Sequence, residues 1–114
     1  MEISVGHTPD SDDAFMFYGM FTGKVSSPEF SVRHVIEDIE KLNRKATDPE
    51  LDVTAVSVHA CAYIPGYTIL RSGGSFGIGY GPIVTARKQM TIDEIKNSTI
   101  AIPGKMTSAF LLLQ

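Results

Sequence analysis

Tryptophan is absent from these 114 residues, and cysteine occurs once, at Cys61. A single cysteine excludes an intramolecular disulfide and fits a reducing compartment. Basic charge is thin. Ten Lys and Arg stand against thirteen Asp and Glu, a formal charge of −3, and the cations are scattered apart from a short cluster at Arg44-Lys45. No nucleic-acid partner is expected from that balance. No apolar run approaches the roughly 18–20 residues of a membrane-spanning helix. Met1 leads into Glu-Ile-Ser-Val rather than a basic segment followed by an apolar one, so no secretory signal is read. The expectation is a cytoplasmic chain with no membrane partner. Metal-ligand spacing is missing as well, because His7, His34 and His59 form no zinc pattern with one another or with Cys61. A nucleophile elbow is also lacking.

What is present is alternation. Ile3–Val5 reads as a strand, and Asp12 or Asp13 can cap the helix that follows, Ala14 to Met20. That helix is apolar on most faces, which predicts burial. Gly23 supplies a stop. Phe30, Val32 and Val35 read as a second strand, and Glu37–Ala46 as an amphipathic helix with Arg44 and Lys45 near its end. Leu51–Val58 reads as the third strand, followed by a helical turn through His59–Ala62. Tyr67–Leu70, Ile83–Ala86 and Thr99–Ile102 read as three more strands. Thr91-Ile92-Asp93-Glu94 fits a capping box, and a last helix starts at Met106. This order predicts an α/β fold with a parallel sheet.

In such sheets ligands bind beyond the carboxyl ends of the strands. Three of those ends carry small polar groups: Thr8, Asp10 and Ser11; Ser57 and His59; and Gly104 to Ser108. Each precedes a helix whose free N–H groups favour an anion, and Thr107 and Ser108 can add hydroxyl donors. Taken singly, each loop is more simply a helix cap; three on one edge point to a carboxylate-bearing small molecule. His7 and His59 lie near strand ends within reach of a ligand, although a structural role suits either. His34 reads as an exposed strand residue and Cys61 as a small buried hydrophobe. Gly77, Gly79 and Gly81 lie between two predicted strands, not between a strand and a helix, so they do not make a phosphate loop.

The last residues, Ser108-Ala-Phe-Leu-Leu-Leu-Gln114, rise as an apolar helix with no stop signal. The expectation is a truncated piece, or a chain completed by another polypeptide. If lobe two is missing, apolar surface around Phe110 to Leu113 is exposed and self-association would follow.

Four segments resemble, in order, those of the 1,4-dihydroxy-6-naphthoate synthases of the futalosine pathway to menaquinone. They are His7-Thr8-Pro9-Asp10-Ser11 through Tyr18, Glu37-Asp38-Ile39-Glu40 through Arg44, Leu70-Arg71-Ser72-Gly73-Gly74 through Pro82, and Ala101-Ile102-Pro103-Gly104 with Thr107-Ser108-Ala109. The resemblance implies a two-lobed fold like that of type II periplasmic binding proteins. Residues 1–85 would form most of lobe one, and residues 86–114 the crossover and the start of lobe two. It implies a lyase that converts cyclic dehypoxanthine futalosine to dihydroxynaphthoate by way of proton abstraction, with no metal and no cofactor. Substrate contacts carry over to Ala55, Val56, Ser57, Thr107 and Ser108, and less strongly to Asn43. Asp10 and Ser11 join them from the strand-end reading. The family's base, a histidine of lobe two, would lie beyond residue 114, so no catalytic residue is assigned within this chain. The sequence departs from the family at Ala55, often Lys, and at Asp12, often Asn. Two other readings stay open: a related chorismate dehydratase, from which the His7-Thr8-Pro9 opening differs, and a non-catalytic small-anion-binding domain of the same fold.

Overall fold

A strand with polar Ser4 and small Gly6 between apolar neighbours can be covered on both faces, and β1 (Glu2–His7) lies in the middle of the sheet. The computed structural model describes every residue from Met1 to Gln114. Two parallel partners flank β1: β2 (Ser31–Ile36) in full register from Glu2↔Ser31 to His7↔Ile36, and β3 (Val53–Thr54) at Val5↔Val53 and Gly6↔Thr54. The crossovers carry α1 (Ser11–Phe21) and α2 (Ile39–Thr47). Parallel strands require such long connections.

Gly6 shows why α2 can lie so close. A Cβ there would come within 2.7–2.9 Å of Leu51, Thr54 and Leu42 side-chain atoms. Leu42 and Ala46 on α2 are fully buried, and with Val5, Leu51 and Ala60 they make up the apolar core. Asp38 caps α2 by accepting from the Lys41 N–H at 3.0 Å. On the far side Asp52 closes a ring with Ser4. Its Oδ2 accepts from the Ser4 N–H at 2.8 Å and the Ser4 hydroxyl at 2.6 Å, while its own N–H donates back to Ser4 Oγ at 2.9 Å. The Ser4 hydroxyl, and then its N–H, hold the Asp52 carboxyl below the usual carboxylate range.

Past β3 the chain makes a 3₁₀ turn, Ala60–Tyr63, then runs without strands to α3 (Ile92–Lys96) and α4 (Ser108–Leu113). The capping box at Thr91 and Glu94 is present. Three expected strands are not: Tyr67–Leu70, Ile83–Ala86 and Thr99–Ile102 carry no ladder. A strand exists only through a partner's hydrogen bonds, and no strand pairs with these apolar runs. Ile69, Leu70, Ile83 and Val84 are accordingly exposed. The third strand is also shorter than Leu51–Val58.

Helix α1 corrects two further expectations. Asp10, not Asp12 or Asp13, occupies its N-cap, and Asp13 instead reaches back to accept the Thr8 N–H at 2.6 Å. The helix is only partly covered: Phe15 is 87% exposed, and Tyr18 and Phe21 stay more than half exposed, although Lys24 lies over the Tyr18 ring and Phe21 meets His34. The molecule is long, 57 × 29 × 22 Å, with a radius of gyration of 16.8 Å, against about 13 Å for a globular chain of this length. No helix is long and apolar enough to cross a membrane.

Candidate functional site

The carboxyl ends of β1 and β3 and the loop before α4 supply the polar groups, and hydrogen bonds tie the last two together. Asn43, fully buried on α2, spends both ends of its amide on Ser57. Its Nδ2 donates to the Ser57 hydroxyl at 3.1 Å, and its Oδ1 accepts the Ser57 N–H at 2.8 Å. Two residues on, His59 bridges to the α4 loop. Its N–H donates to Ser108 Oγ at 3.3 Å, and its Nδ1 lies 3.2 Å from the Thr107 carbonyl. A carbonyl can only accept, so this pattern places a ring hydrogen on Nδ1. Ala55 extends the β1 pairing by one residue, donating its N–H to the Gly6 carbonyl at 2.8 Å, and Val56 is half-buried beside it.

One strut has no role assigned by the sequence, although it stands in a family-like segment one helical turn before Asn43. Glu40 on α2 accepts the Met106 N–H at 3.1 Å through Oε2, and its Oε1 pairs with Arg44 at 3.2 Å. Residues of α2, the β3 turn and the α4 loop thus form one connected group. A cleft of about 430 Å³, lined by His59, Tyr63, Lys105, Met106, Phe110 and Gln114, opens beside it.

The anticipated site residues separate into two sets. Asn43, Ser57, Thr107 and Ser108 are brought together. Asp10 and Ser11 are exposed at the α1 end, and no hydrogen bond joins them to that group. The Asp10 carboxylate accepts from the Thr8 hydroxyl at 3.1 Å. Thr107 is not the free donor expected of it. Its hydroxyl is buried, donates to the Gly104 carbonyl at 2.7 Å and accepts the Phe110 N–H at 3.3 Å as the cap of α4. Ser108 Oγ accepts from His59 and keeps its own hydrogen to give.

The expected exposed His34 is instead packed. It meets His7, whose ring stacks on Phe17 at 4.6 Å, and Phe21 edge-on at 5.2 Å. His7 Nδ1 faces the Thr8 carbonyl at 3.1 Å and must donate, so His7 Nε2 accepts from His34 Nδ1 at 3.1 Å. His34 Nε2 is then an enclosed lone pair with no partner. Burial, and secondarily His7, push the His34 imidazole below its ordinary value. The unfolded chain therefore binds this proton more readily than the folded one. Stability is full above the unfolded value of about 6.5 and falls as the pH drops from there toward the folded value. A lower urea midpoint at pH 5.5 than at pH 7.5 is expected, with a smaller drop in His34→Gln. An equal drop in both proteins would refute this assignment.

Residues 3–114 match the family described as menaquinone biosynthesis. The chain is 38% identical over 112 residues to a 1,4-dihydroxy-6-naphthoate synthase of Thermus thermophilus, covering 97% of this chain and 40% of that one. It is 30% identical over 114 residues to one of Streptomyces coelicolor, covering 98% and 39%. A protein of Archaeoglobus fulgidus with a known crystal structure superposes with a TM-score of 0.87 at 52% identity, over 98% of this chain and 41% of that one. The chain thus spans about 40% of the length of these relatives.

Proposed function

Because the chain belongs to the menaquinone biosynthesis family, we propose that the complete protein is a carbon–carbon lyase that converts cyclic dehypoxanthine futalosine to 1,4-dihydroxy-6-naphthoate. The observation that carries this reading is the name shared by two curated relatives that align with nearly the whole chain. Its fold is the two-lobed one of type II periplasmic binding proteins, with residues 1–85 in lobe one and 86–114 opening lobe two. The task of this segment is to bind the acidic end of the substrate, and the proton-abstracting base comes from elsewhere in the protein.

The hydrogen-bond geometry supports that division of labour. Ser57 is held by Asn43 and Ser108 by His59, so two hydroxyls are oriented before any ligand arrives. Lys105 adds a cation at the neighbouring cleft, which offsets the absence of one at Ala55. Pre-set donors of this kind favour binding because little ordering remains to be done. Ala55 and Val56 contribute backbone and shape, Thr107 holds the loop as its cap, and Asp10 and Ser11 form the rim of the first strand end. The substrate is a small carboxylate, with no metal or cofactor in the reaction.

The protein expressed from its complete reading frame should release dihydroxynaphthoate from cyclic dehypoxanthine futalosine. Ser108→Ala should raise KM about tenfold or more, the cost of one hydrogen bond to a charged group, with a smaller change in kcat. Tight binding of the substrate without turnover would replace the lyase with a binding protein. An unchanged KM in Ser108→Ala would remove Ser108 from the site.

A further inference from the structure

Glu40 is an acid on the inner face of α2 whose side chain is only 12% exposed. The ion pair within its own helix does not account for that burial, since its partner Arg44 is 70% exposed and the pair is screened by water. Its second oxygen crosses 66 residues of sequence to accept the Met106 N–H. The loop approaches so closely that a Cβ on Gly104 would overlap the Glu40 carboxylate. A charged acceptor on a backbone N–H is among the stronger neutral-donor hydrogen bonds, and Glu40 makes it in a place where only glycine leaves room.

We propose that Glu40 is a positioning residue: it clamps the Gly104–Ser108 loop onto α2 and so sets the distance between the Ser57 and Ser108 hydroxyls. This rests on the lyase reading above for its kinetic consequence, but not for the clamp itself. Ser57 is fixed to α2 through Asn43, one turn from Glu40. Ser108 follows Met106 by two residues. With Glu40 in place both hydroxyls refer to the same helix. Without it the loop is held by His59 alone, whose bonds to Ser108 and Thr107 are 3.3 and 3.2 Å long. A negative charge beside an anion's binding loop would otherwise repel the ligand. Its pairing with Arg44 and use of both oxygens make it tolerable there.

Two readouts on the complete protein test this. Hydrogen exchange followed by mass spectrometry reports the segment that carries the Met106 amide. In Glu40→Ala the segment around Met106 should exchange about tenfold faster or more, while Glu40→Gln, whose amide oxygen can still accept, should stay within about threefold of the native protein. Kinetics with cyclic dehypoxanthine futalosine should show KM raised about tenfold in Glu40→Ala with kcat within about twofold, and most of the KM restored in Glu40→Gln. Gly104→Ala leaves α2 intact and must displace either the loop or the Glu40 carboxylate, which breaks the clamp in both cases, so it should reproduce the KM rise. Its effect should shrink in the Glu40→Ala background, where the overlapping carboxylate is gone. It serves as the kinetic test should Glu40→Ala not fold. Unchanged exchange in Glu40→Ala overturns the clamp. Equal falls in kcat for both Glu40 variants, with no rescue by glutamine, would make Glu40 merely structural and overturn the positioning role. If the native protein turns over no substrate, the lyase reading fails, and the exchange experiment still decides the clamp.

Discussion

Asn43→Ala is expected to lower stability by about 2–4 kcal/mol and to raise KM for the substrate at least tenfold. Asn43 is fully buried, and its amide meets one residue twice. Truncation leaves the half-buried Ser57 N–H without an acceptor, which costs about 1–3 kcal/mol, and adds a small void beside Leu42. The Ser57 hydroxyl then turns freely, so the effect on binding comes by way of Ser57 rather than from lost contact with Asn43. Asn43→Asp separates the two effects. Its oxygen still accepts the Ser57 N–H, and the serine hydroxyl can rotate to donate to the other oxygen. The buried negative charge faces an acidic substrate. Asn43→Asp should therefore bind substrate more weakly than Asn43→Ala while retaining Ser57's hydrogen bonds. Urea unfolding and steady-state kinetics on the same samples measure both quantities. A stability loss below about 0.5 kcal/mol in Asn43→Ala, the size of an ordinary surface change, would contradict the account.

Leu42→Ala should cost about 2–5 kcal/mol, the range for a fully buried leucine whose surroundings collapse poorly. Collapse is hard here because Leu42 packs over Gly6, which has no side chain to move, and the rest of the apolar core is Val5, Ala46, Leu51 and Ala60. Phe15→Ala is the control. Phe15 is larger but exposed on α1, and its loss should fall within about 0.5 kcal/mol. If the two variants are equally stable, the core does not lie where α2 meets β1. Leu42 and Asn43 are neighbours, so their effects should not add.

The parts that could be read from the sequence are those set by short-range pattern. The 3.6-residue period and basic end of α2, the capping box of α3, the stop at Gly23 and the β1 and β2 runs all arise within a few residues of chain, and all are present. Strands are different, because an apolar run becomes one only beside a partner. The runs at Tyr67, Ile83 and Thr99 have none in this chain. The same distinction separates the site residues. Small polar groups at strand ends flagged Ser57, Thr107 and Ser108, and the family resemblance flagged Asn43. That Thr107 spends its hydroxyl on its own helix, and that Asn43 serves Ser57, depended on tertiary geometry. So did the histidine pair. His7 stands opposite Ile36, which makes His34 its diagonal neighbour two residues back on β2, a relation that follows only once the register is known. Glu40 was hidden for the same reason, with its partner 66 residues away.

The central position of β1 has a consequence for how this chain is made. Of the three strands, β1 leaves the ribosome before the two neighbours it needs, and its second partner begins only when Asp52, 48 residues after Ser4, has been added. At about 5–20 residues per second, β1 waits roughly 2–10 s with one side of its ladder open. During that interval Val5 and Gly6 offer a bare edge to any other nascent chain. A holdase that covers β1, or a slow stretch of codons placed after residue 54 rather than before it, should raise the yield of folded protein.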